Sequence, residues 1–232
     1  MAQLKAFEAR DDAANHVATL MTGALAQQLA SNGSASLLLS GGSSPGPVFD
    51  RLSTTDIDWA NVSVGLVDER WVPEEDPRSN AALVRKSLLQ GKAASAAFTP
   101  MYTTASGTLA EAAPGVDAAY VPLCDGAPVV LLGMGPDGHT ASWFPGASGL
   151  DAAMDPDGDV FVSAIDATGA AVAGDMPHRM TITARTLLGA GLIVLYITGQ
   201  EKRSVLDARD ANLPIHFAER LLGDRLMKVW AP

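Results

Sequence analysis

Cysteine is almost missing from this chain. Cys124 is the one cysteine among 232 residues, so no disulfide can form within the chain and no cysteine cluster can hold a metal. C-x-x-C motifs are absent too, which makes a reducing cytoplasm the simplest compartment. Cys124 is expected as a small buried residue rather than a nucleophile. Charge is also scarce: Asp, Glu, Lys and Arg make up 18% of the residues, below the usual level of about a quarter. With 47% hydrophobic residues the chain can bury a sizeable core, which argues against disorder. Positive charge is the scarcest of all. Sixteen Lys and Arg face 26 Asp and Glu, a net charge of −10, with a pI of about 4.7. Binding a phosphate backbone needs a basic face, so no nucleic-acid partner is expected. A few clustered cations can still hold a small anion. Long apolar runs are lacking: Leu192–Ile197 falls far short of the roughly 20 residues that span a bilayer. Met1–Arg10 is polar and mixed in charge, so neither a signal peptide nor a membrane partner is expected.

What is present is an alternation of short apolar runs and amphipathic stretches. No linker or repeat divides it, so a single domain over 1–232 is expected. Asp11–Ala30 reads as a helix, because Val17, Leu20, Met21, Ala24, Leu25 and Leu29 recur at three- and four-residue steps. Asn32-Gly33 should end it. Ser36–Leu39, Val62–Val67, Val129–Leu132, Asp159–Ile165 and Leu192–Ile197 read as strands. Pro47–Leu52, Ser79–Leu89, Ala184–Leu188, Glu201–Ala208 and Pro214–Leu222 read as helices, and Leu226–Trp230 as a last strand at a sheet edge. Gly91–Pro128 says least; within it Thr108–Tyr120 suggests a short helix interrupted near Pro114-Gly115. Ala147–Gly158 reads as an exposed acidic loop. Asp151, Asp155, Asp157 and Asp159 lack the order and the closing Glu of a calcium loop.

The most informative stretch is Gly133–Gly146, G-M-G-P-D-G-H-T-A-S-W-F-P-G, directly after the Val129–Leu132 strand. Three readings compete. Gly133, Gly135 and Gly138 satisfy the dinucleotide pattern G-x-G-x-x-G, although Pro136 and Pro145 crowd the helix that pattern needs. A purely structural reading has glycines for a turn and Asp137 as a helix cap. In a catalytic reading His139 is a general base, with Asp137 beside it either orienting the ring or moving a proton.

Other strand exits carry polar chemistry as well. Ser40-Gly41-Gly42-Ser43-Ser44-Pro45 stands between a strand and a helix start, the outline of an anion site. Asp68-Glu69-Arg70 follows the Val62–Val67 strand, and Asn80 opens the next helix. Lys202 lies in the first turn of a helix, where its charge opposes the dipole unless an anion sits there. Arg179 begins a further strand. Parallel strands end on one sheet edge, so these exits should meet in one cleft.

Taken together, S-G-G-S-S-P at 40–45, D-E-R-W-V-P at 68–73, S-N at 79–80, the 133–146 block, R-M-T-I-T at 179–183 and T-G-Q-E-K at 198–202 resemble the bacterial 6-phosphogluconolactonases, which are related to the glucosamine-6-phosphate deaminases. The resemblance implies an open α/β, Rossmann-like fold with a mainly parallel sheet and helices on both faces. It implies hydrolysis of 6-phospho-D-glucono-1,5-lactone in the oxidative pentose phosphate pathway, a phosphosugar lactone as the partner, and no metal or organic cofactor. It puts the water-activating base at His139 and phosphate contacts at Gly41, Gly42, Ser43, Arg70, Arg179 and Lys202. Asp137 and Arg70 join His139 in the expected catalytic set, and Asp68 and Asn80 complete the substrate contacts. A monomer or weak homodimer is expected. The deaminases carry a glutamate after the histidine where this chain has Ala141-Ser142-Trp143-Phe144-Pro145, which favours the lactonase. A non-catalytic sugar-phosphate binder is the remaining alternative.

Overall fold

The computed structural model describes residues 3–103 and 107–232. Met1–Ala2, in the polar opening stretch, and 104–106, in the Gly91–Pro128 stretch, lie outside the described residues. The chain begins with β1 (Leu4–Ala6) and α1 (Arg10–Asn32). Helix α1 buries Ala13, Val17, Met21 and Leu25 on one stripe. Gly33 ends it in the left-handed region, its N–H returning to Leu29 O at 3.0 Å. Next come β2 (Ala35–Leu39), α2 (Gly46–Ser53), β3 (Val62–Leu66), β4 (Asp68–Arg70) and α3 (Asn80–Ser87). They are followed by β5 (Ala97–Phe98), α4 (Leu109–Cys124), β6 (Val129–Leu132), α5 (Leu150–Met154) and β7 (Val162–Asp166). The chain closes with β8 (His178–Ile182), α6 (Ala184–Gly189), β9 (Leu192–Thr198), α7 (Gln200–Ala208), α8 (Pro214–Leu222) and β10 (Leu226–Ala231).

Seven strands form the main sheet in the order β1-β10-β9-β6-β2-β3-β5, and every pairing in it is parallel. Strands β2 and β6 are buried at every position. Successive side chains point to opposite faces, so both faces are covered, as a parallel sheet requires. Among the described residues no helix is long and apolar enough to cross a membrane.

Four local expectations change. Strand β10 lies inside the sheet between β9 and β1; the edge belongs to β1, too short and polar to register as a strand. Helix α4 is unbroken despite Pro114 and Pro122. A capping box starts it: Thr108 Oγ1 accepts from Glu111 N at 3.3 Å and Glu111 Oε2 accepts from Thr108 N at 2.9 Å. Burial of Ala112, Val116, Tyr120 and Leu123 then outweighs the lost N–H groups. The acidic 147–158 stretch holds α5. Finally, Asp68–Arg70 is no loop. It is the first strand of a second, antiparallel sheet in the order β4-β8-β7.

Tyr120 joins α4 to the main sheet. Its fully buried hydroxyl accepts from Leu66 N at 2.8 Å and donates to Thr99 O at 3.0 Å. The two-residue β5 pairs only with Ser63 and Val64, so this hydroxyl satisfies an N–H beyond the ladder's end. Tyr120→Phe is expected to destabilise the fold by about 1–3 kcal/mol, read as a lower urea midpoint at unchanged slope; an unchanged midpoint would contradict this role.

Candidate active site

The topology opens a crevice. Strand β2 has β3 on one side and β6 on the other, so the sheet's winding reverses there, and ligands of open α/β sheets bind beyond the strand ends at such a point. A cleft of about 240 Å³ lies there, lined by the 40–45 turn, Asp68, Arg70, Asn80, the loop after β6, Arg179 and Lys202. Hydroxyls tie its walls together. Ser40 Oγ accepts from Gly133 N at 3.2 Å, joining the ends of β2 and β6. The Ser44 and Thr198 hydroxyls bond at 2.9 Å, joining the turn to the end of β9.

The loop after β6 folds on itself to present His139. Gly135 N–H donates to His139 O at 2.9 Å, and Gly138 N–H to Gly135 O at 3.1 Å. The imidazole lies against Gly135, where a Cβ would fall 2.1 Å from its Cε1 and 2.2 Å from its Nδ1; only glycine permits this approach. Asp137 Oδ1 pairs with Nδ1 at 2.5 Å and also accepts from His139 N at 3.3 Å. Burial opposes the charge on Asp137, but its bonds to His139 outweigh that, so the carboxyl titrates below its ordinary value. A carboxylate on Nδ1 assigns the proton there and leaves the Nε2 lone pair as the base. The Phe144 ring stands 4.3 Å from the imidazole, centroid to centroid.

No helix follows Gly138. Instead Ser142 N–H donates to Thr181 Oγ1 at 3.1 Å and the buried Trp143 Nε1 to Ile182 O at 2.9 Å, anchoring the loop on β8. The dinucleotide reading therefore lacks its phosphate-capping helix, and Asp137 caps no helix but holds an imidazole. Asp137 stands behind the ring and does not line the cleft, unlike the other nine expected site residues.

Three cations face this space. Arg70 on β4 and Arg179 on β8 stand directly opposite in the ladder, a placement in which like charges repel. Arg179 is 5% exposed. Its Nε donates to Met176 O at 2.8 Å, its Nη2 to Ala173 O at 3.4 Å, and its guanidinium lies 5.3 Å over the Phe144 ring. Burial pulls its pKa down. Arg70 donates through Nη1 to Arg78 O, while its buried Nε has no partner among the described residues. The Lys202 side chain makes no hydrogen bond or ion pair among the described residues, and burial lowers its pKa too, with Glu201 opposing. Asp68 is the acid among them. Ser142 Oγ donates to Asp68 Oδ2 at 2.7 Å and Asn80 Nδ2 to its backbone O at 2.7 Å.

Several contributors had no sequence signal of their own. Ser142, fully buried, looks like a loop serine until it is seen on Asp68. Phe144, Met134, Val172 and Tyr196 line the cleft as apolar residues, and nothing in their type separates them from core.

Known proteins resemble this chain in sequence and fold. Residues 8–222 match the family model described as glucosamine-6-phosphate isomerases/6-phosphogluconolactonase. The chain is 43% identical over 215 residues to the 6-phosphogluconolactonase of Rhizobium meliloti, covering 90% of this chain and 89% of that protein. It is 40% identical over 217 residues to that of Caulobacter vibrioides, covering 92% and 90%. The crystal structure of a 6-phosphogluconolactonase from Shewanella baltica superposes with a TM-score of 0.91 at 30% identity, covering 100% of this chain and 98% of that one.

The geometry of the imidazole can be read directly. In ¹⁵N correlation spectra at neutral pH, His139 is expected as the Nδ1–H tautomer, and Gly135→Ala should abolish that signature while the fold is retained. An Nε2–H tautomer in the native protein would contradict the assignment.

Proposed function

The chain belongs to the glucosamine-6-phosphate isomerase/6-phosphogluconolactonase family, and on that premise we propose that it hydrolyses 6-phospho-D-glucono-1,5-lactone to 6-phosphogluconate, a step of the oxidative pentose phosphate pathway. One observation carries the reading: an imidazole held by a carboxylate through Nδ1 borders a cleft that also holds three cations, and among the described residues its Nε2 has no hydrogen-bond partner and those cations no carboxylate partner within ion-pair distance. A phosphate dianion answers the cations, and a lactone carbonyl answers the base. The buried, unpaired Cys124 fits the reducing cytoplasm in which this pathway runs.

In this mechanism the phosphate lies against the Gly41-Gly42-Ser43 turn, Arg179 and Lys202. There, turn N–H groups and the start of α2 favour an anion. Binding this remote group orients the ring for attack. His139 Nε2 takes a proton from water as the water oxygen bonds to C1, and Asp137 steadies the resulting imidazolium. The carbonyl electron pair moves onto oxygen, where Arg70 stabilises it. When the tetrahedral intermediate collapses, the C1–O5 bond breaks, the imidazolium returns its proton to O5, and the carboxylic acid product ionises. The residues after His139 suit hydrolysis rather than deamination. Ala141, Ser142, Trp143 and Phe144 are all buried, and no carboxylate stands among them.

The test is acid release from freshly made 6-phosphogluconolactone, with the spontaneous rate subtracted. His139→Ala is expected to lower kcat by about 10²–10⁴-fold with little change in KM. Turnover equal to wild type would sink the base assignment. Lys202→Ala and Arg179→Ala are each expected to raise KM roughly ten- to hundredfold; an unchanged KM would remove that residue from the phosphate site. Ammonia release from glucosamine-6-phosphate by the native protein, without lactone hydrolysis, would replace the reading with a deaminase. Binding without either reaction would leave a sugar-phosphate binder.

A further inference from the structure

Glu69 is fully buried and does not line the cleft, yet it sits in β4 between two residues that do. Asp68 and Arg70 share one side of the strand, and Glu69 points to the other, toward the start of α3. Its Oε1 accepts from Arg70 N at 2.8 Å and Asn80 N at 2.8 Å; its Oε2 accepts from Ser79 Oγ at 2.9 Å and Ala81 N at 2.8 Å. Burial pushes the carboxyl above its ordinary value, with these four bonds pulling the other way. Three of the four donors are backbone N–H groups, which cannot turn round to accept, so the ionised form is the one that fits. A buried carboxylate with no cation bonded to it is costly, and a mere helix cap does not require one, since Ser79 already caps α3 through Ala82 N at 3.2 Å.

What the carboxylate fixes is Asn80. The Asn80 amide spans the cleft wall: Nδ2 donates to Asp68 O at 2.7 Å, and Oδ1 occupies the space beside Gly41, where a Cβ would fall 1.9 Å away. One side chain thus gauges the gap between β4 and the glycine turn.

We propose that Glu69 is a positioning residue for the phosphosugar: its buried carboxylate locks the start of α3 to β4, so that Asn80 holds the Gly41-Gly42-Ser43 turn at a fixed distance from Asp68 and Arg70. This rests on reading the cleft as a phosphosugar site. Glu69→Gln tests it. A glutamine oxygen can serve one pair of donors, but its amide N–H then faces the Ala81 N–H.

Glu69→Gln is expected to raise KM for the phosphorylated lactone about tenfold and to weaken binding of 6-phosphogluconate, titrated calorimetrically, by a similar factor. Its kcat should stay within about threefold of wild type. If Glu69 acts through Asn80, Glu69→Gln combined with Asn80→Ala should have the KM of Asn80→Ala alone. Tyr120→Phe, destabilised but outside the cleft lining, should keep wild-type KM. A Glu69→Gln protein with lower melting temperature but native KM and native 6-phosphogluconate affinity would overturn the proposal, as would effects that multiply in the double variant. If the native protein fails to hydrolyse the lactone, the functional reading falls. The 6-phosphogluconate titrations still judge Glu69: equal affinity in native and variant protein overturns its role, and a tenfold gap upholds it.

Discussion

Val67 is the joint on which this architecture turns. Its N–H donates to Leu39 O at 2.9 Å, inside the parallel sheet, and its carbonyl accepts from Ile182 N at 2.8 Å, inside the antiparallel one. The chain crosses from one sheet to the other in a single residue. Asp68, Glu69 and Arg70 therefore emerge as a strand rather than a loop, with alternate side chains on opposite faces. Arg70 is set against Arg179, and Glu69 is sent down to α3. Had β3 ended in an ordinary loop, none of these placements would hold.

The electrostatics follow from that joint. The chain as a whole is acidic, at −10, yet Arg70, Arg179 and Lys202 are gathered at one cleft. Opposed arginines in a ladder and a lysine in a helix's first turn both cost stability in the empty protein. Under the proposed function, a bound phosphate dianion would offset both penalties. The acids near the cleft have hydrogen-bond partners of their own, although the charge of Asp68 still favours the charged form of Arg179 against burial. Asp137 is spent on His139, Glu69 on backbone N–H groups, and Asp68 is engaged by Ser142.

Much of this was legible in the sequence because it depends on residue type at short range. The Gly-rich turn with Asp-x-His after Val129–Leu132, the 40–45 turn and Lys202 each mark a strand exit, and the structure brings His139, that turn and Lys202 to one cleft. Pro214–Leu222 is a helix over the expected residues. The second sheet was not legible, because Asp68–Arg70 is charged where strands are usually apolar and its partner lies more than a hundred residues away. Strand β10 reads as an edge strand because β1, its neighbour, is three residues with a lysine at the centre. Proline argued for a break in α4, and only packing against both sheets explains its continuity. Ser142 meets Asp68 from far along the chain, and Glu69 meets the start of α3 only once β4 forms as a strand, so neither contact shows in the residue types.

In the proposed reaction a carboxylate-held imidazole hydrolyses a phosphosugar lactone. The most direct measurement is a pH-stat comparison of the native protein with Asp137→Asn on 6-phosphogluconolactone, alongside 6-phosphogluconate affinity for both. The account predicts clear acceleration by the native protein, a fall in kcat on the order of 10²–10⁴ for the variant, and equal affinity for 6-phosphogluconate. An Asp137→Asn protein that turns over as fast as the native one, or a native protein no faster than the spontaneous reaction, would contradict it.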